Sequence, residues 1–168
     1  MPAGYDHKYV YTNIGYNLKP LDVQCALGLV QLDKLPHFTE RRRANFRALF
    51  DTFAKYEDKF ILPRAVPKAE PSWFAIPITV KPDAGFTKNE MVEFLESRCI
   101  ETRMLFAGNI LRQPGYSHIN KRVVSDLRHT DNIMCNTFFL GVYPGITPER
   151  LDYMIQTVNE FMAGHSRG

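Results

Sequence analysis

Apolar residues dominate one long stretch near the start of the chain, from Leu21 to Leu35. Its polar residues do not form one continuous wet face, so the pattern predicts a helix that is buried on more than one side. Pro20 fits the first helical position, where its missing N–H is no loss, and Asp22 puts a negative charge in the first turn. Gly28 costs roughly 1 kcal/mol relative to alanine, which the close approach of another backbone would explain. We predict a buried helix here and name it the spine helix; an ordinary core helix is the alternative.

Pro36 predicts a break after the spine helix. Beyond it, apolar and aromatic residues recur at helical spacing, so a second helix is expected from Thr39, as its N-cap, to about Tyr56. The run Arg41–Arg43 lies within this helix, and we interpret it as a solvent-exposed face rather than a phosphate clamp.

Three stretches carry the pattern of β-strands: Ser72–Val80, Ile100–Phe106 and Thr137–Tyr143. Pro77 cannot donate a hydrogen bond to a neighbouring strand. The first of the three is therefore expected at a sheet edge or with a bulge.

Helix-start signals alternate with these strands. Thr87–Glu90 has the form of a capping box, Thr130 is a candidate N-cap for a short helix, and Thr147–Glu149 marks the last helix. Residues 110–124 are expected to be irregular, with a turn at Pro114-Gly115. The order of elements predicts an α+β fold, with a small antiparallel or mixed sheet and helices packed largely on one face.

Composition restricts the classes of function. The chain has 168 residues, of which 45% are hydrophobic and 23% charged, as expected for one globular domain. A net charge of +3 is too small to indicate nucleic-acid binding. No apolar run approaches the roughly 20 residues that a membrane span requires. We therefore expect a cytoplasmic protein that binds neither nucleic acid nor membrane.

Motifs for a self-contained active site are missing from the sequence. There is no phosphate-binding glycine loop, no H-E-x-x-H and no G-x-S-x-G. The three cysteines, Cys25, Cys99 and Cys135, are far apart and lie among apolar residues. They are expected to be buried thiols that form neither disulfides nor a metal site. The residues alone indicate an α+β domain that looks like the second half of a larger protein.

Five stretches in order along the chain resemble a known family: Tyr5–Tyr9, Gly15–Pro20 with Gln31–Leu35, Pro71–Phe74, Thr102–Asn109 and Phe139–Gly145. From residue 5 to residue 163 the sequence is similar to the C-terminal part of the DegT/DnrJ/StrS family of vitamin-B6-dependent sugar aminotransferases and dehydrases. Within that family it looks most like the RfbH-type 3-dehydrases, which act on CDP-4-keto-6-deoxyglucose.

The resemblance implies the small C-terminal domain of a fold type I, aspartate-aminotransferase-like enzyme whose active sites lie at a homodimer interface. Residues 1–19 would lead in from a large cofactor domain, 20–56 would link the domains, 57–163 would form the small α+β domain, and 164–168 a tail. The residue at the lysine position (histidine in the 3-dehydrases) and the cysteines for a [2Fe–2S] cluster would lie upstream. The chain would then hold no catalytic residue and no metal ligand, and would be inert alone.

The resemblance also implies candidate site residues. Asn17, in the family's G-Y-N motif, would reach the phosphate of pyridoxal or pyridoxamine 5′-phosphate (PLP or PMP) in the neighbouring subunit, with Lys19 as a nearby cation; a local turn is the alternative for Asn17. Phe74 stands where many aminotransferase relatives have histidine, and a phenyl ring cannot transfer protons. A site without the lysine and with this apolar wall would favour dehydration over amino transfer; a core aromatic is the alternative for Phe74. Arg103 could bind substrate hydroxyls or a phosphate, and Asn109 could supply its amide to the sugar.

The implied reaction removes the C3 hydroxyl of a nucleotide sugar on the way to dideoxysugars of the O-antigen. The cofactor would combine with the C4 ketone, and a separate NADH-dependent iron–sulfur flavin reductase would deliver electrons through the [2Fe–2S] cluster. Two alternatives remain open. One is a sugar aminotransferase or a GDP-4-keto-6-deoxymannose 3-dehydrase of the same family, and the other is a non-catalytic module that only dimerises.

Overall fold

The computed structural model describes residues 13–16 and 18–165. Within them, the chain forms four α-helices and four β-strands. The helices are α1 (Asp22–Ala54), α2 (Lys88–Ser97), α3 (Arg128–Asn136) and α4 (Pro148–His165), and the strands are β1 (Phe60–Ile61), β2 (Ala75–Val80), β3 (Thr102–Met104) and β4 (Thr137–Gly141). The strands form one sheet in the order β1-β2-β4-β3, with every neighbouring pair antiparallel. This confirms the predicted α+β class. No helix in the described ranges is long and apolar enough to cross a membrane.

Helix α1 is 33 residues long and continues through Pro36, so the predicted break at that proline is wrong. Proline removes one N–H donor, the one that would bond the carbonyl of Leu32, at a cost of about 3 kcal/mol. The turns on both sides keep their hydrogen bonds, and the helix continues. The chain divides into two units, Met1–Pro36 and His37–Gly168, and α1 contributes to both.

The first unit exposes the apolar side chains of the spine helix. Every described residue from 13 to 36 is exposed, and the large apolar side chains range from 50% for Val30 to 70% for Val23. The prediction of a buried helix is therefore wrong for this chain. The apolar pattern is present, but nothing in the described part of the chain covers it. A contiguous apolar surface of this kind is typical of an interaction surface.

The second unit has one hydrophobic core against one face of the sheet. Alternate residues of each strand point to this face, as the two-residue period requires. The fully buried members on the strands are Ile76, Ile78, Phe138 and Leu140, and those on the helices are Leu49 and Phe53 of α1, Met91 and Leu95 of α2, and Val158 of α4. Helix α3 contributes no residue to this core.

Pro77 lies where β2 is paired on one side only. It pairs with Phe139 of β4, whereas β1 pairs only with Thr79 and Val80. The expectation of an edge therefore holds at Pro77 itself, although β2 as a whole lies within the sheet.

Three further expectations are corrected. All three cysteines are exposed, because apolar neighbours in the sequence do not place a residue on the buried face. Helix α3 begins at Arg128, after Leu127 in a left-handed conformation (φ 55°), and not at the Thr130 cap. Residues 110–124 contain two short 3₁₀ helices, Ile110–Arg112 and Pro114–Tyr116.

The capping box at the start of α2 is confirmed. The Thr87 hydroxyl accepts a hydrogen bond from the Glu90 N–H at 3.2 Å, and the Glu90 carboxylate accepts one from the Thr87 N–H at 2.6 Å. The bond from the Thr87 N–H, followed by a second bond that the Thr87 hydroxyl donates to the same carboxylate at 2.8 Å, lowers the pKa of Glu90. Thr87→Ala should reduce the free energy of unfolding by about 1 kcal/mol, measured by urea denaturation. Glu93→Ala, at an exposed position of the same helix, is the control, and an equal loss in both variants would contradict the role of the cap.

Candidate functional site

Three phenylalanines, two of them exposed, form a cluster on the face of the sheet opposite the core. Phe139 lies between the two core residues of β4, so its side chain points to the other face. Its ring lies 6.0 Å from that of Phe74 and 6.1 Å from that of Phe106, centroid to centroid. Phe139 is 9% exposed, whereas Phe74 is 67% and Phe106 81% exposed. These three rings are named the aromatic cluster.

Arg103 lies on the same face as the aromatic cluster. Its Cα pairs directly with that of Phe139 across β3 and β4, and side chains of directly paired residues project to the same side of a sheet. Its guanidinium is paired with Glu101 and donates to the Thr102 carbonyl at 3.3 Å. The structure therefore brings together two predicted site residues, Phe74 and Arg103, on either side of Phe139. Aromatic rings beside a guanidinium suit a ligand with both apolar and anionic parts.

Phe106 is the site residue that the sequence did not reveal. It has φ 49°, a left-handed conformation that is strained for a bulky residue. A large apolar side chain that is both strained and exposed is a reason to infer a function. The only signal in the sequence was the small-residue turn that follows it. Gly108 (φ 61°) is required in that turn, since an added Cβ would lie 2.5 Å from the Met134 side chain.

Asn109 is buried beneath the loop that carries Phe106. It is 3% exposed, its Oδ1 accepts from the Leu111 N–H at 3.1 Å, and its Nδ2 donates to Asp131 Oδ1 at 2.7 Å. Both ends of the amide make a hydrogen bond within the chain and the side chain is buried, so Asn109 supports the loop. The contact with a sugar stays a prediction.

An ion pair fixes the same loop to α3. Arg112 Nη2 lies 2.7 Å from Asp131 Oδ2, and Arg112 Nε donates to Oδ1 at 3.2 Å. The hydrogen bond from Arg112, followed by that from Asn109, lowers the pKa of Asp131 from 3.8 to about 2. The hydrogen bonds among Asn109, Arg112 and Asp131 therefore hold the loop that carries Phe106 against α3.

The three consecutive arginines of α1 bind backbone carbonyls on two loops beside the aromatic cluster. Arg41 Nη2 donates to Ile146 at 2.9 Å, and Arg42 Nη1 donates to Trp73 at 3.3 Å. Arg43 donates to the carbonyls of residues 70 and 71, at 2.6 and 3.2 Å. The predicted solvent-exposed face is therefore wrong for Arg41 and Arg42, which are half-buried. The reason is that loop carbonyls near the protein interior need donors.

Asn45 completes this set from the next turn of the helix. It is 1% exposed, and its Nδ2 donates to the Tyr143 carbonyl at 3.0 Å and to that of Val142 at 3.5 Å. We name Arg41–Arg43 and Asn45 the α1 bracket. It binds the carbonyl that immediately precedes Phe74 and the loop that immediately follows β4.

The predicted cofactor-binding residues lie in the first unit. Asn17 falls outside the described residues. Lys19 is exposed just before α1 and makes no ion pair with any described residue. No group of His, Cys, Asp and Glu side chains in the described ranges could hold a metal ion.

Asn45→Asp tests the bracket with an almost isosteric change. It replaces a donor with a carboxylate that faces two carbonyl oxygens in a buried place, and should reduce the free energy of unfolding by about 2–4 kcal/mol. Burial should raise the pKa of the introduced carboxyl, so the loss should grow as the pH rises. The measurement is urea denaturation at several pH values. Asn89→Asp, exposed in the first turn of α2, is the control and should not destabilise the fold, because a negative charge is favourable near a helix N-terminus. An Asn45→Asp variant as stable as the wild type would refute the role of the bracket.

Asp131 should make stability depend on pH in the acid range. Its pKa is lowered in the folded state, so the stabilisation is complete above its unfolded value and is lost as the pH falls through about 4 towards about 2. Asp131→Asn should remove this loss of stability between about pH 4 and about pH 2. The measurement is the midpoint of thermal denaturation at each pH. Asp152→Asn, at an exposed position of α4, should leave it unchanged. If the wild type and Asp131→Asn give the same slope, the network does not act in solution.

The sequence matches the model of the DegT/DnrJ/EryC1/StrS aminotransferase family over residues 1–159. The lipopolysaccharide biosynthesis protein RfbH of Salmonella typhimurium is 47% identical over 161 residues, which are 96% of this chain and 37% of that protein. The dTDP-4-dehydro-2,6-dideoxy-D-glucose 3-dehydratase of Saccharopolyspora spinosa is 45% identical over 166 residues, 99% of this chain and 36% of that protein. The chain thus spans little more than a third of the length of these relatives.

Solved structures agree with the observed architecture. The Escherichia coli GDP-4-keto-6-deoxy-D-mannose-3-dehydratase with bound hydrated PLP superposes with a TM-score of 0.78 at 26% identity, over 94% of this chain and 40% of that chain. An aminotransferase from Psychrobacter cryohalolentis superposes with a TM-score of 0.84 at 17% identity, over 99% of this chain and 44% of that chain, which shows the fold alone. The family match and the two relatives together lead to one conclusion: the chain belongs to the DegT/DnrJ/EryC1/StrS aminotransferase family.

Proposed function

We propose that this chain is the C-terminal portion of a PLP- or PMP-dependent nucleotide-sugar 3-dehydrase that removes the C3 hydroxyl of CDP-4-keto-6-deoxyglucose. The observation that carries the proposal is the aromatic cluster with Arg103 beside it. Three of the stretches that resemble the family contribute to this one face, namely Pro71–Phe74, Thr102–Asn109 and Phe139–Gly145. The similarity to RfbH and to the S. spinosa 3-dehydratase supports the same assignment.

The chemistry of the face suits a nucleotide sugar. Such a substrate has a planar base, a diphosphate and a sugar, and the exposed rings of Phe74 and Phe106 offer apolar surface for the base or the sugar. Arg103 offers a planar donor set for the diphosphate. The phenyl ring of Phe74 provides an apolar wall without a titratable group, which excludes it as a proton carrier and favours dehydration over amino transfer.

For the cofactor, the described residues fit the phosphate end only. Lys19 is an exposed cation three residues before α1 begins at Asp22. A phosphate is stabilised near a helix N-terminus, and Asn17 is proposed to bind it together with Lys19. When bound, PLP or PMP would supply the electron sink for loss of the hydroxyl group. The described residues offer no ligand set for a [2Fe–2S] cluster. In this proposal the cluster is assigned to the upstream part of the enzyme, and the NADH-dependent iron–sulfur flavin reductase is a separate partner protein.

The exposed spine helix supports the rest of the proposal. Its apolar surface would be covered in the longer enzyme, by the upstream domain and by the second subunit of a homodimer. The cytoplasmic location expected from the sequence belongs to the same proposal. Alone, the chain should show neither cofactor absorbance nor turnover.

A chimera tests the function. The upstream part of Salmonella RfbH, joined to this chain and supplied with PMP, the reductase and NADH, should convert CDP-4-keto-6-deoxyglucose to its 3-deoxy product. Arg103→Gln should raise KM about tenfold, because it removes a charge-assisted contact. Arg122→Gln, exposed and without a described partner, is the matched control.

Intact RfbH in the same assay shows that the reagents are competent. A folded chimera that transfers an amino group from glutamate and retains the C3 hydroxyl would establish a sugar aminotransferase and refute the dehydrase. A folded chimera without either activity would also refute it.

A further inference from the structure

A cavity separate from the aromatic cluster lies between the second half of α1 and the connection from β1 to β2. Its volume is about 440 Å³, within the range of about 300–1,000 Å³ that is usual for small-molecule sites. Both sides of the cavity belong to the second unit of the chain. The helix contributes two arginines and two phenylalanines, and the connection contributes Arg64, Glu70 and Trp73.

The charges that line this cavity are mostly positive. Arg43 and Arg47 are four residues apart on α1 and therefore neighbours on its surface, and like charges at this spacing destabilise a helix. Arg64 adds a third guanidinium from the facing connection, while Glu70 is the one carboxylate among the lining residues. Arg43 is occupied by the carbonyls of residues 70 and 71. Arg47 and Arg64 have no hydrogen-bond or ion-pair partner among the described residues, so their donors are available to an anion.

One wall of the cavity is a stack of aromatic rings. The ring of Phe46 lies parallel to that of Trp73, with centroids 4.1 Å apart and an interplanar angle of 4°. Phe50 stacks on Phe46 at 5.9 Å and 27°. Trp73 and Phe50 are half-buried, so part of this apolar wall borders the open cavity. Planar rings beside unpartnered guanidinium groups recognise a planar heterocycle that carries phosphate.

We propose that this cavity binds a nucleoside diphosphate. Arg47 and Arg64 would hold the phosphates, and the base would lie against the wall formed by Phe46, Phe50 and Trp73. The occupant would contact the segment that leads directly into Phe74, so the site is placed to influence the aromatic cluster. This inference does not rest on the dehydrase proposal, because it requires neither the cofactor nor the upstream domain.

The test is direct binding to the 168-residue chain. Trp73 is the only tryptophan, so its fluorescence reports on the cavity wall, and isothermal titration calorimetry measures the affinity independently. CDP should give a saturable change in the fluorescence of Trp73. Inorganic pyrophosphate should bind at least about tenfold more weakly than CDP. Arg47→Gln and Arg64→Gln should each weaken CDP binding about tenfold, with circular dichroism to show that both variants are folded. Arg122→Gln should bind like the wild type.

A Phe74→Ala variant distinguishes this cavity from the aromatic cluster. CDP binding that survives Phe74→Ala but is weakened by Arg47→Gln and Arg64→Gln supports the proposal. Binding that is lost in Phe74→Ala and unchanged in both arginine variants would place the ligand at the aromatic cluster and overturn it. Pyrophosphate binding as tight as CDP would overturn the role of the aromatic wall, and absence of saturable CDP binding would overturn the whole inference. None of these results affects the dehydrase proposal, which is judged by turnover of the chimera.

Discussion

The arrangement of the candidate site depends on hydrogen bonds from one short segment of α1 to the backbone carbonyls of two loops. Carbonyl groups near the interior must find donors, and those of Trp73, Tyr143 and Ile146 find them in the α1 bracket. Phe74 follows the first of these directly, and the other two follow the strand that carries Phe139. A single helix therefore fixes the segments on both sides of the aromatic cluster. Strand pairing places Phe139 beside Arg103. The α1 bracket positions the loop that leads into Phe74 and the loop that follows β4.

The two halves of helix α1 differ in the burial of their apolar side chains. Its second half buries the side chains of Phe46, Leu49 and Phe53. Such packing supplies most of the stability of a helix in a folded protein. Its first half has the apolar composition of a buried helix and an exposed surface. The proline between them weakens the helix by one hydrogen bond without ending it. Sequence composition and observed burial disagree in the first half because no described residue of the chain packs over its apolar side chains.

Local signals could be predicted from the sequence, and contacts between distant segments could not. The capping box at Thr87–Glu90 and the helix start at Thr147 depend on neighbouring residues, and both are present in the structure. The partners of Arg41 and Arg42 lie 105 and 31 residues away, so nothing in the run of charge distinguished a bracket from an exposed face. Phe106 was not predicted, because its residue type gives no sign of a left-handed backbone conformation. Phe74 and Arg103 were found through the resemblance, but their approach to Phe139 follows only from the strand register.

Trp73 and Phe74 show how one segment can serve two surfaces. The two neighbouring rings pack in different places: that of Trp73 stacks on Phe46 of α1, while that of Phe74 contacts Phe139. The bond from Arg42 reaches the carbonyl between them, so neither ring can shift along the chain without stretching it. One peptide unit therefore joins the wall of the cavity to the aromatic cluster, and the carbonyl of that unit is held by Arg42 of α1. The same helix that lines the cavity thus also positions the residue that precedes Phe74.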